Sequence, residues 1–238
     1  MSPAQVVLIV SVVTGAACLQ GSIGFGMALV SAPILALIDP TLIPGPLIAS
    51  GLVLVTLVAI RDHAHADFGT VRFSMIGQAA GAFAGASVLA RLDPRGFGIL
   101  FGGLVLLAVG ISALGFHVRV TKTSALSAGL LGGFMGATSS IGGPPMALVY
   151  QHEPSARFRG TLSAYFIVSC VVSLTALAWV GRFGWHEVAR AGLLVPGQVL
   201  GFLLSYPMTR VLSETSIRPF VLGLSALAAT GVLARAFL

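Results

Sequence analysis

The sequence predicts an all-α, polytopic membrane protein of about eight helical segments in two duplicated four-segment halves, with the first segment of each half broken by a glycine-rich motif. Three observations predict this class. Hydrophobic residues make up 56% and charged residues only 8% of the 238 residues, whereas a soluble domain carries roughly 25% charged residues. The charged residues cluster between long charge-free stretches. Several short motifs also recur in both halves of the chain.

The charge-free stretches define the segments in order. Counting Asp, Glu, Lys and Arg, they cover residues 1–38, 40–60, 73–90, 96–118, 123–152, 160–181, 191–209 and 219–234. Because a charge in hydrocarbon costs several kcal/mol, this partition is typical of membrane-embedded segments. Six of the stretches suit one crossing of ~20 residues. The first and the fifth are too long for one straight helix.

Each of these two overlong stretches contains a glycine-rich motif. Residues 21–30 (motif 1) read GSIGFGMALV, and residues 140–149 (motif 2) read SIGGPPMALV. With one residue inserted, both read Ser-Ile-Gly, then an interruption, then Met-Ala-Leu-Val. A backbone break within a bilayer must have its polar groups satisfied by protein, water or a ligand. The motifs therefore predict two broken helices and a site beside them.

Other segments repeat as well. Gly77 and Gln78 are matched by Gly197 and Gln198, 120 residues further on. The repetition predicts an N-terminal repeat over residues 1–118 and a C-terminal repeat over 119–238, together forming one integral membrane domain. Glycines spaced four apart, as in 77–85 and 197–201, are typical of close helix packing in lipid.

The relative orientation of the two repeats depends on the broken segments. If each crosses the membrane once, the repeats are parallel and the two sides carry 7 and 6 Lys and Arg residues. If each dips in and returns, or crosses twice, the number of crossings per half is odd and the repeats are inverted. With re-entrant segments the two sides carry 8 and 5. Positively charged loops favour the cytoplasm, so the count favours inversion with an extracytoplasmic N-terminus. The parallel arrangement stays open.

The motifs also suggest a chemistry. A helix that restarts inside the membrane points unpaired N–H groups and its positive dipole end into the break, which attracts an anion without any charged side chain. Hydroxyls and amides at membrane depth add neutral donors. The candidate substrate-binding residues are Ser22, Gly24, Phe25, Gly26, Gln78, Thr138, Ser139, Ser140, Gly142, Gly143, Pro144 and Gln198.

An alternative interpretation of these residues is purely structural. The glycines can serve close packing or a kink, and the serines can bond back to backbone carbonyls. Gln78 and Gln198 can link helices to one another. Arg157 and Arg159 mark a cytoplasmic loop or an anion-attracting entrance.

Several function classes lack support. The net charge of +6 is spread over the loops, which is typical of membrane topology and not of nucleic-acid binding. Cys18 and Cys170 have no Cys-x-x-Cys spacing and are expected to be buried and unpaired. The five histidines, at 63, 65, 117, 152 and 186, lie in or beside loops, so a membrane serine protease is not expected. His63 and His65, with Asp62 and Asp67, could form a surface ligand cluster, but solvated loop residues are the favoured interpretation and no metal site is expected. No cofactor is implied. The second segment is expected to end at Arg61, before a polar loop that includes Asp62, so that no carboxylate lies inside a segment.

Three motifs follow one another along the chain: Gly21-x-x-Gly24-Phe25-Gly26 followed by Pro33, the stretch 129–145 ending in Gly-Gly-Pro-Pro, and Arg159-Gly160-Thr161. In these motifs and their order the sequence resembles the TauE/SafE family, also called the toluene-sulfonate uptake permeases. One departure is the Gly-Phe-Gly of motif 1, where the family commonly has a Gly-Gly pair.

The resemblance implies about eight helices from a duplicated unit in the cell (inner or plasma) membrane. It also implies transport of sulfite, sulfonates or related organosulfur anions. The expected partners are thus a small anionic solute and the lipid bilayer, with the oligomeric state left open. A secondary transporter is the favoured function, with facilitated or externally coupled anion movement. An anion channel and an intramembrane enzyme are the alternatives.

Overall fold

The computed structural model describes residues 1–62, 68–114, 118–151, 154–209 and 214–237, and side chains throughout these ranges except at 68–70, 114, 155–156 and 214–218. Within these ranges the chain forms ten α-helices, one short 3-10 helix and no strand. The helices are α1 (Pro3–Ile23), α2 (Met27–Ile38), α3 (Gly45–Asp62), α4 (Phe68–Ala90), α5 (Pro94–Leu114), α6 (Lys122–Ser139), α7 (Gly143–Tyr150), α8 (Ser155–Trp179), α9 (Trp185–Met208) and α10 (Glu214–Phe237).

Seven of the described helices are long and apolar enough to cross a membrane, namely α1, α3, α4, α5, α8, α9 and α10. Large hydrophobic side chains such as Trp185, Phe220 and Leu227 are exposed on the outer faces of these helices, where lipid replaces water as the surrounding medium. The protein is therefore an integral multi-pass membrane protein. α2 is apolar but only 12 residues long.

Each overlong charge-free stretch contains two helices with an interruption between them. α1 ends at Ile23 because Gly24 and Gly26 adopt left-handed backbone conformations, with φ of 99° and 108°. α6 ends at Ser139, and Ser140 has a φ of 65°. α7 then begins at Gly143 with two prolines in its first turn, where their missing N–H groups are tolerated.

α4 and α6 pack closely and run parallel. Gly77 faces the backbone of Leu126, and Gly81 faces Leu130 one turn further along both helices. A Cβ atom on Gly81 would overlap the Leu130 carbonyl oxygen, so only glycine allows this approach.

α1 and α9 form a corresponding parallel pair. Gly197 faces Val10, and Gly201 faces Thr14. A Cβ atom on Gly201 would overlap the Thr14 carbonyl oxygen. The two glycine-lined pairs thus join α1 to α9 and α4 to α6 in the same manner.

α3 and α8 run antiparallel through the middle of the bundle. Asp62, the last residue of α3, bonds to Arg159 near the start of α8. Gly45, the first residue of α3, faces Phe183, which follows α8. We call the end of the bundle where α3 ends and α8 begins the basic end, because α4, α6 and α8 also begin there with basic residues.

The chain reverses at the first break. α2 runs alongside α10, because Ser225 donates a hydrogen bond to the Leu29 carbonyl at 2.8 Å and Arg235 donates one to the Leu37 carbonyl at 3.3 Å. α10 follows α9 through a short connection and so runs opposite to α9 and α1. α2 therefore returns toward the end at which α1 began.

The second break reverses the chain from the other side. α6 begins at the basic end, and α7 leads back toward it, because Gln151 borders the same small cavity as Ser112 near the end of α5. α1–α2 and α6–α7 are thus two helical hairpins that enter the bundle from opposite ends.

The glycine contact between α4 and α6 predicts a sharp steric effect. Gly81→Ala should lower the melting temperature in detergent, because overpacking at a backbone contact costs about 1–3 kcal/mol. The matched control is Gly103→Ala, since a Cβ atom there meets nothing within 4 Å. Thermal unfolding of both variants checks this. An unchanged melting temperature for Gly81→Ala would contradict the close contact.

Candidate functional site

The two helix breaks border one cavity. It has about 70 Å³ of space for the centres of water-sized spheres, whereas one water needs roughly 10–15 Å³ on that measure. The cavity therefore has room for several waters or for a small polyatomic ion. Its lining consists of Gln20, Phe25, Gly26, Met27, Ala28, Leu29, Leu47, Ile48, Gly51, Val55, Gly136, Ser140, Ile141, Gly142, Gly143, Pro144, Phe166, Ser169, Cys170 and Ser173.

The cavity lies deep in the bundle. Phe166 and Ser173, which line it, are 11 and 18 residues beyond the start of the 25-residue helix α8. At 1.5 Å per residue these positions are roughly 16 and 27 Å along a helix of about 37 Å. None of the described lining residues is charged.

At the first break a glutamine caps the returning helix. The Gln20 side-chain oxygen accepts a hydrogen bond from the backbone N–H of Met27 at 3.1 Å. One free donor at the start of α2 is thereby satisfied within the protein. Gln20 also lines the cavity, and its amide NH₂ group is a hydrogen-bond donor only.

The second break supplies fewer backbone donors than a typical helix start. Pro144 and Pro145 have no N–H, so the first turn of α7 retains only the N–H of Gly143, next to that of Gly142. A Cβ atom on Gly143 would lie 4.0 Å from the Phe25 Cβ atom. The two motifs therefore meet across the cavity.

Six predicted site residues line the cavity and six do not. Those lining it are Phe25, Gly26, Ser140, Gly142, Gly143 and Pro144. Three hydroxyl residues that do not line it bond instead to carbonyls one turn back, each within 2.8 Å: Ser22 to Cys18, Thr138 to Phe134 and Ser139 to Met135. This is the local bonding expected of such residues within helices.

The remaining three predicted site residues, Gly24, Gln78 and Gln198, also do not line the cavity. A Cβ atom on Gly24 would lie 2.9 Å from the Arg159 Cγ atom, so this glycine makes room for arginine. Gln198 is fully buried and donates to the Ser50 hydroxyl at 3.2 Å. Gln78 is fully buried and contacts α8.

None of the twelve candidate residues predicted from the sequence lies on α8. Ser169 and Ser173 line the cavity, and their i, i+4 spacing on an apolar helix places both on one face. This spacing is visible in the sequence, but its importance depends on α8 packing against both breaks. Gln20 was also outside the set, although its position just before motif 1 could have indicated it.

A cluster of charged side chains lies at the basic end, beside the first break. Asp62 accepts hydrogen bonds from Arg61 at 3.0 Å and from Arg159 at 3.1 Å. The three side chains are only 12–18% exposed. The expectation that Asp62 lies in a polar loop was wrong, because α3 extends to include it and the two arginines stabilise it there.

Arg61 also connects the cluster to neighbouring helices. Its guanidinium donates to the Gly21 carbonyl in the last turn of α1 and to the Ser205 hydroxyl of α9 at 3.0 Å. It lies 5.5 Å from the ring centroids of Phe202 and Tyr206, within cation–π range. A cation suits the end of α1 because carbonyls there carry the negative dipole end.

Four of the five histidines, at 63, 65, 117 and 152, lie outside the described residues, as does Asp67 of the possible ligand cluster. His186 is exposed in the first turn of α9. Within the described ranges no group of three or more His, Cys, Asp or Glu side chains comes together.

Comparison with known proteins identifies the family. The sequence model described as Sulfite exporter TauE/SafE matches residues 7–232, nearly the whole chain. The chain belongs to the TauE/SafE family. No curated protein and no solved structure matches it. The expectation from the sequence motifs is thereby confirmed, and membership of TauE/SafE indicates a membrane transporter of sulfur-containing anions.

The charge cluster of this TauE/SafE protein predicts a stability effect. Asp62→Asn should destabilise the fold by about 3 kcal/mol, because loss of one partner leaves buried charges uncompensated. Arg159→Gln should cost less, since Asp62 keeps Arg61. Arg190→Gln is the matched control, because Arg190 is exposed and has no ion pair among the described residues. Unfolding in detergent measures all three. Equal stability of Asp62→Asn and wild type would refute the role of the cluster.

Proposed function

We propose that this protein is a secondary transporter for a small oxyanion, namely sulfite, a sulfonate or a related organosulfur anion, and that the anion binds in the cavity between the two helix breaks. One observation carries the proposal: both breaks border a single cavity whose described lining is uncharged and provides N–H and O–H donors. Family membership supports the class of solute.

Neutral donors suit this task for a physical reason. In a low-dielectric interior, a fixed charge would hold an anion strongly, whereas transport requires binding that is weak enough for release. The Gln20 amide, the Gly143 N–H and the Ser173 hydroxyl provide dipoles without a full charge. The full charge at the site is then that of the bound anion itself.

We further propose that residues 1–118 and 119–238 are inverted repeats. The helix contacts support this, because exchanging α1–α5 with α6–α10 converts the α1–α9 pair into the α6–α4 pair. α3 and α8, which correspond under this exchange, run antiparallel. α5 and α10 also correspond, and they too run antiparallel, with Gly102 facing Leu233.

The distribution of charge supports an orientation. In the inverted arrangement eight of the thirteen Lys and Arg residues belong to the basic end: Arg61, Arg72, Arg119, Lys122, Arg157, Arg159, Arg210 and Arg218. By the positive-inside rule that end faces the cytoplasm. The N-terminus then lies outside, and the protein resides in the cell (inner or plasma) membrane.

Flux measurements in proteoliposomes test this function. We expect saturable uptake of sulfite or methanesulfonate that is accelerated by the same anion on the opposite side, because an alternating-access carrier exchanges its solute. An anion channel is the alternative, and an unsaturable, electrodiffusive flux would favour it. Absence of flux for every sulfur oxyanion would refute the proposal.

Bulk at the second break should block transport. A Cβ atom on Gly143 would lie 3.3 Å from the Phe166 ring, so Gly143→Ala should reduce flux and Gly143→Leu should abolish it by filling the cavity. Gly192→Leu is the control, because a Cβ atom there meets nothing within 4 Å. Membrane insertion is checked by the yield of folded protein. Wild-type flux in Gly143→Leu would remove the second break from the site.

A further inference from the structure

We propose that the Ser173 hydroxyl donates a hydrogen bond to the transported anion and that Gln78 is a positioning residue that aims this hydroxyl into the cavity. This inference rests on the function proposed above and assigns the α8 side of that site. It requires the transported solute to be an anion with an acceptor oxygen that points toward α8.

The bonding of Ser173 differs from that of two other buried serines, Ser31 and Ser139. Ser31 and Ser139 donate to carbonyls four residues back, at 2.7 Å in both cases, which uses their hydrogens within their own helices. Ser173 lines the cavity and accepts a hydrogen bond from the Gln78 Nε2 atom at 3.2 Å. Among the described residues no backbone carbonyl accepts from it. Its hydrogen is therefore available to an acceptor in the cavity.

Gln78 is itself held in place. The Tyr165 hydroxyl donates to the Gln78 Oε1 atom at 2.7 Å, which directs the Nε2 group toward Ser173. Both Gln78 and Tyr165 are fully buried. A chain of donors thus runs from Tyr165 through Gln78 to Ser173, and each bond in such a chain polarises the next.

The corresponding glutamine supplies an internal comparison. Gln198 donates to the Ser50 hydroxyl at the same distance, 3.2 Å. Ser50, however, donates its hydrogen to the Leu47 carbonyl at 3.1 Å and lies outside the cavity lining. The two glutamines therefore have the same kind of partner, but only Gln78 supports a hydroxyl that faces the cavity.

The first test measures the apparent KM for sulfite in proteoliposomes. Ser173→Ala should raise KM about tenfold, the effect of one charge-assisted hydrogen bond. Ser173→Thr, which keeps a hydroxyl, should restore most of the affinity. Ser50→Ala is the matched control with an expected KM near wild type, because it removes a glutamine-bound hydroxyl away from the cavity. An unchanged KM in Ser173→Ala would overturn the inference.

A double-mutant cycle tests the positioning role. Gln78→Leu should raise KM less than Ser173→Ala does, and it should add nothing in the Ser173→Ala background, because Gln78 acts through Ser173. Tyr165→Phe replaces Gln78→Leu if the latter does not fold. Additive effects on KM would overturn the positioning role. If the wild type transports no sulfur oxyanion, the proposed function fails, and this inference fails with it.

Discussion

The structure depends on one constraint: backbone N–H and C=O groups inside a bilayer need partners. A continuous helix satisfies them internally, yet this chain interrupts two helices at glycine-rich motifs. The returning helices meet these requirements differently. Gln20 caps the start of α2, whereas prolines remove N–H groups from the first turn of α7. The few donors that remain lie beside a cavity, where they can serve a solute.

Full charges and neutral dipoles occupy different parts of the molecule. Asp62 pairs with both Arg61 and Arg159 at the basic end. Arg61 and Asp62 are the last two residues of α3, and Arg159 is the fifth residue of α8. The cavity, deeper along α8, has no charged residue among its described lining. This separation follows from the cost of charge at membrane depth. The charge cluster, with two guanidiniums and one carboxylate, lies next to the first break, on the side that we assign to the cytoplasm.

The sequence predicted the helical membrane class, because charge-free length reports directly on the bilayer. In the structure α1 and α6 end within the glycine-rich motifs. It could not predict which side chains face the cavity. Ser22 and Ser140 occupy equivalent places in the two motifs, but Ser22 bonds to the Cys18 carbonyl while Ser140 reaches the Pro44 carbonyl at the cavity edge. Ser173 contributes only because α8 packs on both breaks, and Asp62 is buried only because Arg159 meets it from a distant segment. Such tertiary pairings are not encoded in local patterns.

The central claim is that uncharged donors at the two breaks hold the anion. The most direct measurement is a structure of the protein with selenite, the selenium analogue of sulfite, in which anomalous scattering locates the selenium atom. We predict a peak in the cavity, within hydrogen-bonding reach of the Gly143 N–H and the Ser173 hydroxyl. A peak only at Arg61 and Arg159, with no selenium in the cavity, would contradict the account.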